Sequence, residues 1–352
     1  MRFKRVIHTV DSHTEGNPTR VILGGVGNPP GASVGEKAGW LFANDDGLRR
    51  MLNFEPRGND MMCSVLLLPP LSAEAHFAAV IMEQDEYVPM CGHCVIGAAT
   101  TVVSLGMVPA MEPTMPVRFD THAGLVACDV HVRHGRVQGV SLTNVWSFLL
   151  HRRAGVEVEG LGRVAVDVAF GGDWYVIADA DAIGLELKVD RDEELIAAAN
   201  RIIPAVNAQL AVRHPERPEI DRVYEMLFTS GRTSTGDYKQ TIVSPPGDLD
   251  RSPCGGGTCA RVALLHTIGE LPLRRPARFE GPLGTVFTGE AVAAERRAGV
   301  LWVRPRITGR AYITGMHQFI LDRADPLPAG FRIGPPPRAA PGFEGAGMPG
   351  RG

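Results

Sequence analysis

Met90-Cys91-Gly92-His93-Cys94 and Ser252-Pro253-Cys254-Gly255-Gly256-Gly257 are the two stretches that decide how this chain folds. Aligned on Cys91 and Cys254, both units contain a Cys-Gly pair, small residues, an apolar run and a glycine fifteen places after the cysteine. This pattern predicts a helix that begins at each cysteine and stops at the glycine. Two such units predict a duplicated molecule that brings two thiols together across a cleft.

The composition bounds the class of protein. The chain has 352 residues, of which 44% are hydrophobic and 21% charged, as is typical of a globular enzyme with about two domains. Its net charge of -3 offers no basic surface for nucleic acid or an anionic membrane, and no apolar run approaches the roughly 20 residues that span a bilayer. The N-terminus lacks the apolar core of a signal peptide. We therefore expect a cytoplasmic protein whose six cysteines are reduced thiols or metal ligands.

The 41 glycines and 27 prolines favour a β-rich architecture with many turns. Hydrophobic periodicity predicts strands and helices along most of the chain, and residues 335–352 form a low-complexity segment that we expect to be disordered. The strands are predicted at 5–10, 21–23, 63–68, 76–82, 117–132, 137–142, 164–168, 175–177, 223–228, 240–243, 301–306 and 316–321, and the helices outside the cysteine units at 36–53 and 191–210.

Three local features have competing interpretations. Residues 11–20, which include His13, are either a hairpin loop or a loop that lines a polar site. Gly171-Gly172 interrupts a strand, which indicates either a bulge or a place where a ligand approaches the backbone. In the second case, Asp173 and Trp174 would be directed towards that ligand. Cys63 beside an apolar run favours a packed small residue over a ligand.

The cysteine units suit proton transfer at carbon. A cysteine at a helix N-terminus lies where unpaired amides and the helix dipole favour thiolate, and the glycines after it leave those amides open to a carboxylate. A thiolate and a thiol on opposite faces of an α-carbon could remove a proton from one face and return one to the other. No metal or pyridoxal cofactor is required for such an inversion.

Five motifs resemble those of the proline racemase family, and the matches run in order from residue 5 to about 334. They are Asp11-Ser12-His13-Thr14-Glu15-Gly16, Glu55-Pro56-Arg57-Gly58, Met90-Cys91-Gly92-His93, Asp250-Arg251-Ser252-Pro253-Cys254-Gly255 and Thr314-Gly315-Met316-His317-Gln318-Phe319. The resemblance implies an α/β fold similar to diaminopimelate epimerase. That fold has two pseudo-symmetric halves, each a β-barrel-like sheet around a central helix, with the active site in the cleft between them. We expect residues 1–140, completed by about 310–334, in one half and 141–309 in the other.

The resemblance also implies site residues and an activity. Cys91 and Cys254 would be the catalytic acid/base pair of a cofactor-independent enzyme acting on a small imino acid, with a homodimer as the assembly. His93 and Asp250 would hold the ring nitrogen. The carboxylate would be bound by amides, at Gly92, His93, Gly255 and Gly256.

The same family contains trans-3-hydroxyproline dehydratases, in which a threonine replaces the second cysteine. Because this chain keeps Cys254, the two-base branch is favoured. At residues 173–174, Asp173-Trp174 resembles the polar pair of 4-hydroxyproline epimerases more than the smaller apolar residues of proline racemases. We therefore predict inversion of trans-4-hydroxy-L-proline to cis-4-hydroxy-D-proline, with proline racemase as the alternative. The chain departs from the family pattern at Cys94, Gly256, Cys259 and residues 279–282.

Rival functions remain open at the level of sequence. Cys91-Gly92-His93-Cys94 is also the C-x-x-C pattern of dithiol oxidoreductases, but that function leaves the Cys254 unit unexplained. A zinc site from Cys91, His93, Cys94 and a distant cysteine lacks the second C-x-x-C of a structural site. A non-catalytic binding protein for imino acids would share the cleft without turnover.

Overall fold

The computed structural model describes residues 3–231, 233–244 and 247–333, so the predicted disordered segment 335–352 lies outside the described residues. The helices are α1 (Val34–Asp45), α2 (Gly47–Asn53), α3 (Gly92–Ser104), α4 (Asp192–Gln209) and α5 (Gly255–Thr267), with short 3-10 turns at Asp181–Ile183 and Val189–Arg191. None of the helices in these ranges is long and apolar enough to cross a membrane.

Eighteen strands in the same ranges make up the rest of the regular structure. They are β1 (Arg5–Thr14), β2 (Asn17–Gly24), β3 (Cys63–Leu68), β4 (Phe77–Met82), β5 (Tyr87–Val88), β6 (Thr114–Thr121), β7 (Gly124–Arg133), β8 (Arg136–Thr143), β9 (Ser147–Val158), β10 (Gly162–Phe170), β11 (Trp174–Asp179), β12 (Glu225–Ser230), β13 (Tyr238–Ser244), β14 (Asp248–Leu249), β15 (Ala277–Glu280), β16 (Val286–Arg297), β17 (Val300–Gly309) and β18 (Ala311–Leu321).

The C-terminal half is a closed barrel. Its strands β9, β10, β11, β12, β13, β15, β16 and β17 are hydrogen-bonded neighbours in that order, and β17 pairs with β9 to close the ring. Helix α5 packs against β9, β10, β11, β16 and β17. Alternate apolar side chains of these strands therefore enclose the helix that begins after Cys254.

The N-terminal half repeats this order of pairing. Its strands β18, β1, β2, β3, β4, β6, β7 and β8 follow the same sequence of antiparallel and parallel neighbours, with parallel pairs only at β2–β3 and β4–β6. The corresponding parallel pairs in the other half are β11–β12 and β13–β15. Helix α3 packs inside this sheet, and the pairing of β8 with β17 joins the halves.

The predicted fold class is confirmed, since two pseudo-symmetric halves each hold a central helix. The domain bounds at 140 and 309 stay a proposal. Its support is that β18, the last strand, pairs along β1 at the edge of the N-terminal half.

The central helices match in length and in how they end. Each has 13 residues and begins directly after its cysteine. Gly106 and Gly269, the predicted stops, have φ angles of +69° and +81°, a left-handed conformation that glycine adopts without strain. The amides of Met107 and Glu270 then donate 2.9 Å hydrogen bonds back to the last turn. The predicted helix at each unit is confirmed.

Three local predictions were wrong. The strand predicted at 117–132 is two strands, β6 and β7, which form a hairpin. The polar stretch 11–20 is not a long loop, because β1 and β2 continue through it and leave only Glu15 and Gly16 as the turn. The polar residues fit a strand because Asp11 and Arg20 are cross-strand neighbours that form a buried 2.8 Å ion pair. The helix predicted at 36–53 is two helices, α1 and α2, which meet at Asp46.

Gly171-Gly172-Asp173 is the turn between β10 and β11 rather than a bulge inside one strand. A methyl group added at Gly171 would lie 2.2 Å from the carbonyl oxygen of Gly256. The close approach inferred from the glycine pair is therefore an approach to the backbone of α5, and it holds this turn against the second cysteine unit.

The buried carboxylate of Glu280 holds a loop of the C-terminal half in place. Its carboxylate accepts hydrogen bonds from the hydroxyl of Thr233 (2.8 Å) and the amides of Ser234 (2.7 Å) and Thr235 (2.6 Å). Lys239 lies 3.5 Å away. Although burial opposes it, these hydrogen bonds hold the pKa of Glu280 well below its ordinary value.

We predict that Glu280→Gln lowers the free energy of unfolding by about 2 kcal/mol at pH 7, since it removes a charged hydrogen-bond acceptor. Because the folded pKa is depressed, this contribution is complete above the unfolded carboxyl pKa of about 4.3 and declines as the pH falls towards the folded value. Urea unfolding of both proteins between pH 7 and pH 3 should show the difference shrinking below about 4.3. Glu159→Gln, in an exposed turn, is the control. A constant difference across this range would contradict the assignment.

Candidate active site

The N-termini of α3 and α5 meet head to head at the boundary between the halves. A methyl group added at Gly92 would lie 3.5 Å from the Cα of Gly255, so the two backbones are in near contact. The δ-methyl of Ile307 would lie within 3.6 Å of a methyl group at either glycine. Cys91 and Cys254, the residues that immediately precede the helices, are half-buried at this junction.

The turn between β1 and β2 ties the two N-termini together. The Thr14 hydroxyl donates a 2.9 Å hydrogen bond to the carbonyl of His93, which belongs to the first unit. The Asn17 side chain accepts a 3.2 Å hydrogen bond from the amide of Arg251, which precedes the second. The polar motif at 11–16 thus supports the junction from one side.

The Cys91 thiol lies beside an imidazole. Its Sγ is 3.1 Å from Nδ1 of His93, and Cys91 has an ordinary extended backbone with φ -137°. A hydrogen bond from Cys94, followed by the charge of His93, lowers the pKa of Cys91 well below its ordinary value despite desolvation. Desolvation, followed by the charges of Cys91 and Cys63, raises the pKa of Glu83 well above its ordinary value.

The Cys254 thiol has different surroundings. Its Sγ accepts a 3.3 Å hydrogen bond from the Gly257 amide and lies 3.8 Å from the hydroxyl of Tyr175. Desolvation, followed by the charge of Asp250, raises the pKa of Cys254 well above its ordinary value. The φ of Cys254 is +65°, which is uncommon for a residue with a side chain and typical of strained functional positions.

The first two amides of each helix have no acceptor within their own helix. Gly92 and His93 supply such amides from α3, and Gly255 and Gly256 supply them from α5. Two helix dipoles meet here with their positive ends together, which favours an anion between them. The four predicted carboxylate-binding positions are therefore brought together.

Asp250 is also brought to the junction. Its Oδ1 accepts hydrogen bonds from the amide (2.8 Å) and hydroxyl (2.9 Å) of Ser252, which orient the carboxylate. Burial raises the pKa of Asp250, while the charge of His93 opposes that shift and the charge of Cys91 adds to it. Since Asp250 also influences Cys254, its carboxylate acts on both thiols.

Both ring nitrogens of His93 face thiols in this structure. Nδ1 lies 3.1 Å from Cys91 and Nε2 lies 3.5 Å from Cys94. Burial works against the charged ring, yet the thiolates of Cys91 and Cys63 raise the pKa of His93 well above its ordinary value. The predicted contact of His93 with a substrate ring nitrogen stays a prediction.

Trp174 is not brought to the junction. Its side chain is fully buried in the core, with its ring 5.4 Å from that of Phe148, and its indole N–H donates a 3.1 Å hydrogen bond to the carbonyl of Ile220. The reason is strand alternation, because neighbouring side chains of β11 point to opposite faces and Tyr175 takes the face towards Cys254. Asp173, in the preceding turn, accepts a 2.7 Å hydrogen bond from the Trp174 amide and acts electrostatically on Tyr175.

His13 lies on the face of β1 opposite Thr14, the residue that contacts α3. Its ring stacks on Tyr312 at 5.2 Å, and Nδ1 accepts a 3.2 Å hydrogen bond from the Gly16 amide. His13 therefore contacts the β1–β2 turn and β18.

Three residues near the thiols were not identified from the sequence. Tyr175 could have been found by extending the strand alternation one place beyond Trp174. Glu83 and Cys63 lie in or beside strands well before the first unit, and no sequence signal joins them to Cys91. A hydrogen bond with Cys94 lowers the pKa of Cys63 to about 7, so Cys63 is packed as expected but in contact with other thiols.

Proteins of similar sequence are named as racemases and epimerases of proline and hydroxyproline. The family model described as proline racemase matches residues 9–332. The 4-hydroxyproline 2-epimerase of Streptosporangium roseum is 41% identical over 95% of this chain and 100% of its own. The proline racemase of Clostridioides difficile is 37% identical over 94% of this chain and 99% of its own.

Solved structures with a similar fold include a member of the same family. A hydroxyproline epimerase from Agrobacterium vitis, crystallised with trans-4-hydroxy-L-proline, is 33% identical and superposes with a TM-score of 0.82 over 95% of this chain and 96% of its own. A phenazine biosynthesis protein of the PhzF family from Bacillus anthracis, at 12% identity and a TM-score of 0.59, shares the fold alone.

Two barrel-like halves whose central helices meet head to head are the fold that this chain shares with solved structures of a probable proline racemase and a hydroxyproline epimerase. Within that class, the chain belongs to the proline racemase family, because the family model and relatives above 30% identity cover nearly its whole length.

The glycine at position 256 leaves room for the hydroxyl of Tyr175, because an added methyl group would lie 2.4 Å from that oxygen. We predict that Gly256→Ala lowers the free energy of unfolding by about 1–3 kcal/mol through this overlap. Combining it with Tyr175→Phe should recover much of that cost, because the colliding atom is gone. Gly47→Ala, with no atom within 4 Å of the added methyl, is the control. Additive effects in urea unfolding of the double variant would refute the overlap.

Proposed function

We propose that this protein is a 4-hydroxyproline 2-epimerase that inverts the α-carbon of trans-4-hydroxy-L-proline to give cis-4-hydroxy-D-proline. The observation that carries the proposal is the head-to-head meeting of two helix N-termini, each preceded by a half-buried cysteine. We further propose that it acts in the cytoplasm and needs no cofactor. A homodimer stays a prediction.

The geometry supports a two-base inversion. A planar carbanion intermediate between the thiols would present one face to Cys91 and the other to Cys254. One sulfur, as thiolate, removes the α-proton, and the other, as thiol, delivers its proton to the opposite face. Each turnover therefore leaves the two thiols with exchanged protonation states, and the reverse reaction begins from that form.

The helix N-termini address the difficulty of the reaction, which is the weak acidity of the α-proton. A substrate carboxylate bound at the open amides of Gly92 and Gly255 would receive more negative charge as the proton leaves. Because these amides are fixed by the fold, they stabilise that charge without reorganisation. The substrate amine would carry the compensating positive charge, and the half-buried Asp250 carboxylate is the anion proposed to pair with it.

The proposal that the substrate is hydroxyproline and not proline rests on two observations, the names of the relatives and the position of Asp173. The relative at 41% identity carries the hydroxyproline name, and the one at 37% carries the proline name. Within the chain, support comes from Gly171, which packs on the backbone of α5 in the same turn as Asp173, and from the charge of Asp173, which acts on Tyr175 beside Cys254. Trp174 is fully buried in the core and therefore does not support the preference for hydroxyproline.

We predict that proton NMR in D2O shows the α-proton signal of trans-4-hydroxy-L-proline disappearing as the C2-epimer forms. Early in the reaction deuterium should enter the product and hardly enter the remaining substrate, because the acid that delivers it is a second, solvent-exchanged group. Cys91→Ser and Cys254→Ser should each lower the rate of inversion by at least about 100-fold. Cys128→Ser, at a buried thiol in β7, is the matched control.

Other outcomes would redirect the assignment. Fastest turnover of L-proline would make the protein a proline racemase with the same mechanism. Loss of trans-3-hydroxy-L-proline alone, to a cyclic imine, would indicate a dehydratase. Ligand-induced thermal stabilisation without α-proton exchange on any of the three would indicate a binding protein.

The proposed role of Asp173 has its own test. Asp173→Ala should lower kcat/KM for trans-4-hydroxy-L-proline by about tenfold, the value of one hydrogen bond to a charged group, and leave kcat/KM for L-proline nearly unchanged. Asp173→Asn, which keeps a hydrogen-bonding side chain in the turn, should show a smaller loss. Equal losses on both substrates would instead mean that Asp173 only holds the turn.

A further inference from the structure

A second group of sulfur and nitrogen atoms lies behind the catalytic junction, on the inner side of α3. The ligand atoms of Cys63, His93 and Cys94 are all within 4.8 Å of one another, and all three residues are buried. Cys63 comes from β3, while His93 and Cys94 are in the first turn of α3. The tertiary structure thus supplies the distant cysteine that the sequence could not identify.

The spacing suits a tetrahedral metal centre. Zinc binds thiolate at about 2.3 Å and imidazole at about 2.0–2.1 Å, so a sulfur and a nitrogen on one tetrahedral ion lie about 3.5 Å apart. The distance between Cys94 Sγ and His93 Nε2 is 3.5 Å. Two thiolates also neutralise a divalent cation, and a neutral centre is the kind that a buried environment tolerates.

We propose that Cys63, Cys94 and Nε2 of His93 form a binding site for a thiophilic divalent cation, zinc above all. The protein supplies three ligands, and a solvent molecule completes the fourth position. Soft sulfur ligands with one imidazole select zinc over magnesium or calcium, which take oxygen ligands.

Cys91 is outside this ligand set, on the other side of the imidazole. Its sulfur lies 3.1 Å from Nδ1, whereas the metal would bind Nε2. An imidazole bound through Nε2 carries its proton on Nδ1, so the ion fixes a hydrogen bond from His93 to the Cys91 sulfur. The site is thus connected to the catalytic thiol through one ring, but its existence does not depend on the proposed epimerase activity.

The test is cobalt binding by the full-length protein, reduced with a phosphine and freed of metal. We expect one Co²⁺ per chain, with a thiolate-to-cobalt charge-transfer band in the near ultraviolet and the visible bands of tetrahedral cobalt. One equivalent of Zn²⁺ should abolish both. Absence of the thiolate band in the unaltered protein would overturn the proposal without any variant being needed.

Variants locate the ligands. Cys63→Ala and Cys94→Ala should each remove part of the charge-transfer band and weaken zinc affinity, measured by competition with a chromophoric chelator, by more than the roughly 10- to 100-fold that loss of an outer-shell partner costs. Cys128→Ala, the matched buried thiol, should leave band and affinity unchanged. Circular dichroism checks that each variant is folded.

Two further variants separate this site from the catalytic junction. Cys91→Ala and Cys254→Ala should both keep the cobalt band, because neither sulfur is a ligand. If either variant abolishes it, the ion binds between the catalytic thiols and the proposal is wrong. Since the readout is absorbance, an inactive protein that keeps the band would refute the proposed function and leave this inference standing.

Discussion

The contact between Gly92 and Gly255 is the constraint on which the rest of the structure depends. Two helices can meet head to head at backbone distance only where neither carries a side chain, and only if something offsets the repulsion of two positive dipole ends. Here each helix lies inside its own barrel-like sheet, and the shared pairing of β8 with β17 fixes one sheet against the other. The junction that results brings together two helix N-termini, each preceded by a cysteine.

The repeat is symmetrical in its scaffold and unequal in its chemistry. Both halves use the same order of strand pairing and a helix of 13 residues with a left-handed glycine stop. Cys91, however, has an extended backbone beside an imidazole, whereas Cys254 has φ +65° beside a tyrosine hydroxyl and a carboxylate. These surroundings lower the pKa of Cys91 and raise that of Cys254, so they favour a charged Cys91 beside a neutral Cys254.

Cys94 changes the surroundings of the His93 ring beside Cys91. Cys94 stands where the family pattern has a small residue, and its thiol lies within reach of both His93 and Cys63. A ring that the family resemblance assigns to the substrate is here surrounded by three sulfur atoms. The ring thus contacts the Cys91 thiol through Nδ1 and the Cys94 thiol through Nε2.

The sequence by itself determined the duplicated cysteine units, their helices and their glycine stops, because local periodicity and capping residues specify a helix and its ends. It did not determine the path of residues 11–20, the burial of Trp174 or the approach of Cys63 to His93. Those outcomes depend on strand register and on partners distant in the chain. A buried Asp11–Arg20 pair turns a polar loop into strand, and one step of alternation exchanges Trp174 for Tyr175 at the thiol. Only tertiary packing, which decides the face each side chain takes, could settle them.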